Sequence, residues 1–78
     1  MLTERFKKTI FRELKISPIE LDGDLKAFQV PGWDSLTHAC VIDALEKEYK
    51  VRLKNMEILN CKNLGELMQL IHSKTETL

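Results

Sequence analysis

Along the first segment an apolar residue returns every four positions, at Leu2, Phe6, Ile10 and Leu14. A helix turns about 100° per residue, so this spacing draws one stripe down a helix and fits no strand. Thr3 is available as the N-cap, and Ser17-Pro18 predicts the end. Phe11 falls beside the stripe, toward a second neighbour. The same period closes the chain. Leu64, Leu67, Met68 and Ile71 form a second stripe, introduced by Asn63 as cap with Glu66 three residues on. No segment alternates with the period of a strand, so the fold class is all-α.

Between these ends the pattern changes twice. Residues 17 to 33 carry two Pro, two Gly and no sustained periodicity, which predicts a long ordered loop pinned by Leu25, Phe28 and Val30. Loops of that length without structure of their own are uncommon in small domains and often functional. Helical period returns from Asp34 to about Leu53. His38, Val41, Ile42, Leu45 and Tyr49 fall on the inward face, and Leu36, Ala39, Cys40, Asp43, Glu46 and Lys47 on the outward one. A short helix is expected around Asn55 to Asn60. The expected architecture is three main helices and a short one.

Composition bounds the remainder. Seventy-eight residues with 44% hydrophobic content make one small domain over residues 1–78, near the lower limit for a single core. Twelve basic and twelve acidic residues cancel, which tells against a nucleic-acid-binding protein. No apolar run is long enough to span a membrane, and the charged start "MLTERFKKTIF" is no signal peptide. Cys40 and Cys61 therefore read as reduced thiols in a cytoplasmic, monomeric protein.

Most candidate chemistries fail on spacing. Ser35 and His38 are close enough on a helix to touch. However, Trp-Asp-Ser-Leu-Thr is not the Gly-x-Ser-x-Gly elbow of a hydrolase, and no third group orients the histidine. His38 reads as a partly buried core residue. His38 and Cys40, two apart, point to opposite sides of a helix and cannot share a metal. Cys61 and His72 are isolated. Glu20, Asp22 and Asp24 lack the order of a calcium loop.

The junction "PGWDSL" offers more. Asp34 can cap the helix through the N–H groups two or three residues on. Ser35 then stands in the first turn, where unpaired N–H groups and the helix dipole would stabilise a phosphodiester. Leu36, with Ala39 and Cys40 beside it, makes a small apolar patch rimmed by Asp43 and Glu46. That is the layout of a group carrier. It also fits an unmodified helical adaptor that binds partners through the Leu36 face.

At these residues the chain resembles the acyl carrier proteins and their peptidyl-carrier relatives. "GWDSL", residues 32 to 36, is similar to the family's Asp-Ser-Leu motif. "ALEKEYKV" is similar to the Ala-Leu-Glu-Glu-Glu-Phe stretch of its second helix, and the resemblance covers essentially the whole chain. It implies a small four-helix bundle, with 4′-phosphopantetheine attached to Ser35 from coenzyme A by a phosphopantetheinyl transferase. The arm's thiol would carry acyl or aminoacyl groups as thioesters between acyl-activating, acyl-transferring or condensing enzymes. The carrier itself would catalyse nothing. Asp34 and Leu36 would be read by the transferase. The second helix, with Ala39, Cys40, Asp43, Glu46 and Lys47, would be the docking surface, and its inner face would enclose part of the acyl chain. The chain departs from the family's acidic pattern: it is neutral, Thr37 and Cys40 stand where Asp and Glu are usual, and Lys47 occupies a position often acidic. These departures point away from housekeeping fatty-acid synthesis and toward a specialised pathway.

Overall fold

The structure is a computed structural model that describes residues 2–76. Helix α1 spans Glu4–Leu14, a 3₁₀ turn spans Ala27–Gln29, α2 spans His38–Tyr49, α3 spans Asn55–Leu59 and α4 spans Leu64–Glu76. Among the described residues there is no strand. The all-α expectation of three main helices and a short one is met.

Thr3 caps α1, its hydroxyl accepting from the Phe6 N–H at 3.3 Å. The helix ends three residues before Ser17. Lys15 takes the left-handed conformation (φ 57°), and the Ile16 N–H turns back to the Phe11 carbonyl at 3.2 Å. Helix α2 stops the same way, four residues before the expected end near Leu53. Lys50 is left-handed (φ 56°), and the Val51 N–H donates to the Glu46 carbonyl at 3.0 Å. A glycine usually marks this C-terminal motif. Lysine fills the position here, so the usual signal is missing from the sequence.

The stripes meet in one core. Phe6, Ile10, Val41, Leu45, Leu64 and Ile71 are fully buried, joined by Leu2, Leu14, Tyr49, Leu67 and Met68. Arg5, near the start of α1, ion-pairs with Glu48 near the end of α2 at 2.7 Å, and its guanidinium lies 4.4 Å from the centre of the Tyr49 ring. Leu14, at the other end of α1, lies against Gly32 just before α2. The two helices are therefore antiparallel. Five residues are too few to sustain α3 alone. Ile58 packs on the core, and Glu57 accepts from the Lys54 N–H and ion-pairs with Lys74, both at 3.0 Å.

The long loop is ordered, as expected, but differently fastened. Val30 is buried and Leu25 packs against the core, whereas Phe28 is 60% exposed. Trp33 takes the inward role instead, at 3% exposure. The loop also serves α4. Helix starts carry N–H groups without intrahelical partners, and here the Leu64 and Gly65 N–H groups donate to the Leu25 and Gly23 carbonyls at 2.8 and 2.9 Å. Gly65 permits this approach, since a Cβ there would stand 3.2 Å from the Gly23 oxygen. Asn63 acts as the expected cap, accepting from the Glu66 N–H at 2.8 Å.

Candidate functional site

Residues Asp34 to Thr37 form a hydrogen-bonded turn ahead of α2, so Ser35 stands just before the helix and not inside its first turn. The Asp34 carboxylate does cap, accepting from the Leu36 N–H at 2.9 Å and the Thr37 N–H at 3.0 Å. Those two bonds, the Thr37 bond first, hold its carboxyl below the usual aspartate range. The Asp34 carbonyl takes the His38 N–H at 2.8 Å. The Leu36 and Thr37 N–H groups are thus taken by the Asp34 cap, as expected, and neither is left to bind a phosphodiester.

Thr37 completes the turn from the other side. Its hydroxyl accepts from the Asp34 N–H at 2.9 Å and donates to the Gly32 carbonyl at 2.7 Å. Asp34 and Thr37 thereby satisfy each other's N–H groups, as in a capping box with Thr in place of the usual Glu. Gly32 is left-handed (φ 85°), which turns its carbonyl under Thr37 and favours glycine there. In the sequence, Thr37 stands out only as a departure from the family's acidic pattern. The usable signal was a hydroxyl three residues after a capping Asp.

Two hydroxyls flank Leu36, and they differ in freedom. Thr37 is fully engaged. Ser35 is exposed and its side chain has no hydrogen-bond partner among the described residues. Leu36 beside it is 84% exposed. Along α2, Ala39, Cys40, Asp43 and Lys47 are exposed as expected, and Lys47 pairs with Asp43 at 3.0 Å. Glu46 is half-buried instead, because its carboxylate accepts from the Leu53 N–H at 2.7 Å and anchors the chain leaving α2.

Beneath the turn, the Trp33 Nε1–H donates to His38 Nδ1 at 3.0 Å, and Phe28 stacks on the imidazole with ring centres 5.5 Å apart. His38 is the half-buried residue expected, and the nitrogen facing Trp33 is an acceptor. No hydrogen bond joins it to the Ser35 hydroxyl, as a base would require. Cys61, half-buried, lines a small cavity with His38, and burial pushes its thiol pKa up. No group of three or more His, Cys, Asp or Glu side chains converges to hold a metal among the described residues. No described helix is long and apolar enough to cross a membrane.

These features define a class: a small helical bundle that displays an exposed hydroxyl on a hydrogen-bonded turn. The chain belongs to the phosphopantetheine attachment site family (PP-binding), whose model matches residues 4–71. Comparisons with the curated proteins and with the solved structures returned no match. Family membership makes 4′-phosphopantetheine the covalent prosthetic group. It also implies dealings with a phosphopantetheinyl transferase and with acyl-handling enzymes in general, in a domain type that is generally non-catalytic. The turn fits such a group: the free hydroxyl opens to water, where a charged phosphodiester is solvated without help from the protein.

Proposed function

We propose that Ser35 is the attachment site and that residues 1–78 act as one carrier domain, moving acyl or aminoacyl groups in the cytoplasm for a specialised biosynthetic pathway. The observation that carries this reading is the contrast between Ser35 and Thr37. Of the two, the Ser35 hydroxyl is the one both exposed and unengaged, on a turn whose backbone is held from both sides. When attached, the group supplies a thiol that holds the cargo as a thioester. The chain's own part is positional. In the transfer, the Ser35 oxygen attacks the pantetheine-bearing phosphorus of coenzyme A, the pyrophosphate bond breaks, and adenosine 3′,5′-bisphosphate leaves. The transferase takes the serine proton. Asp34 and Thr37 keep Ser35 at a fixed height above α2 throughout, so little ordering remains for the docking step.

We assign partner recognition to Leu36 with Ala39, Cys40, Asp43 and Lys47 on the adjoining face. Glu46 supports that face from behind. Neutral net charge and the Asp43–Lys47 pair favour partners other than enzymes that dock through basic patches. Intact mass tests the attachment. With coenzyme A, Mg²⁺ and a broad-specificity transferase, the chain should gain one phosphopantetheine and Ser35→Ala none. Modification at another residue, or none with several competent transferases, would refute it.

A further inference from the structure

We infer that His38 closes the helical core to the cargo, so that this carrier is built for short acyl or aminoacyl groups held outside the bundle. The inference rests on Ser35 being the attachment site. Two spaces lie next to the turn. One is a cavity inside the bundle, bounded by Trp33, His38, Ile58, Cys61 and Leu67. The other is an open groove on the surface between α2 and α3, bounded by Ala39, Ile42, Leu53 and Asn55. His38 and Ile58 belong to the walls of both, so these two side chains divide the interior from the groove.

The sizes are unequal. The interior leaves ≈ 40 Å³ for the centres of water-sized groups, against ≈ 420 Å³ in the groove. One water-sized group needs about 10–15 Å³ of such space, so the interior takes about three and no medium-length chain. Opening it toward the groove means displacing His38 or trimming Ile58, the two side chains between them. That ring is held on two sides, by the Trp33 hydrogen bond at 3.0 Å and by Phe28 stacked at an interplanar angle of 21°. Trp33 is buried, and swinging His38 away would strand its N–H donor without a partner. A long apolar cargo would therefore lie in the open groove and keep its chain wet. A short or polar one loses nothing there.

The experiment loads wild type, His38→Ala and Ile58→Ala from acetyl- and octanoyl-coenzyme A with a transferase, and confirms loading at Ser35 by intact mass. Thioester cleavage by hydroxylamine is then timed against the free pantetheine thioester of the same acid, and thermal midpoints are compared between the two loaded forms. In wild type, octanoyl should be cleaved as fast as its free counterpart, with no rise in midpoint over the acetyl form. In either variant the octanoyl thioester alone should become several-fold slower to cleave and the midpoint should rise. If circular dichroism shows that His38→Ala does not fold, Ile58→Ala carries the comparison, since it leaves the Trp33–His38 bond intact. Protection of octanoyl in wild type, or none in folded variants, would overturn the inference while leaving the attachment site standing. Failure of both acyl groups to reach Ser35 would overturn the carrier reading, and this inference with it.

Discussion

Replacing Leu45 and Leu36 separately by alanine measures whether the two sides of the α2 region divide stability from function. Leu45 is 0% exposed and Leu36 is 84% exposed. Leu45→Ala removes about three methylene equivalents from the core, at ~0.8 kcal/mol each, or roughly 2.5 kcal/mol of lost transfer energy. The space left behind adds to this by about 24 cal/mol per Å³, so an unrelaxed void of roughly 60–80 Å³ contributes a further ~1.5–2 kcal/mol. The sum is about 4 kcal/mol, within the usual Leu→Ala range of about 2–5 kcal/mol. A domain of this size commonly has only about 4–12 kcal/mol in all. Leu36→Ala exposes no new core and should change stability by no more than about 0.5 kcal/mol. It should nevertheless slow phosphopantetheinylation, since we assign that side chain to partner recognition. Urea melts followed by circular dichroism, with modification rates on the same samples, give both numbers. Equal destabilisation by the two substitutions, or normal modification of Leu36→Ala, would refute the division.

Thr37→Val should destabilise the turn by about 1 kcal/mol, as for loss of a helix cap, and slow modification of Ser35, whereas Thr37→Ser should restore both; melts and transferase kinetics on the pair decide. Asp34 has a folded-state pKa below its unfolded one, so its contribution to stability is present above the usual aspartate value and is lost as pH falls through the lowered folded value. The stability difference between wild type and Asp34→Asn should therefore shrink below about pH 4, which melts across that window would detect. Cys40→Glu combined with Lys47→Glu should leave the fold intact, since both side chains are exposed. It should improve use by a basic-patch condensing enzyme, with a gain that salt erodes; a salt-independent turnover would refute the charge argument.

What the sequence makes legible here follows from periodicity. The stripes of α1 and α4 repeat often enough to define a face, and Thr3 and Asn63 cap them where polar residues meet apolar runs. Trp33 was not legible as core, because a single aromatic in a loop has no repeat to mark its direction. Phe28, equally apolar, stacks on His38 at the surface. Helix α2 starts one turn later than its period suggests for a local reason: Asp34 caps a turn that already carries a helical hydrogen bond to His38, and side-chain bonding to Thr37 precedes the helix proper. The candidacy of Ser35 comes from its motif. Its freedom relative to Thr37 needed coordinates, since hydroxyls two residues apart look alike on paper.

The carbonyls of Gly23 and Leu25 that finish the start of α4 come from far upstream. Joining Leu25 to Leu64 closes a span of 39 positions, at an entropic cost of about 3 kcal/mol by the loop-length rule. Such a contact is repaid only after the intervening helices have collapsed, which makes it a late event in folding. The reverse follows on fluctuation. When residues 17–33 lift away, two amides at the head of α4 lose their acceptors together, and the helix frays from the end next to the loop. Amide exchange at Leu64 and Gly65 thus keeps time with the segment that leads into Trp33 and Ser35, a clock set about thirty residues away from the hydroxyl it reports on.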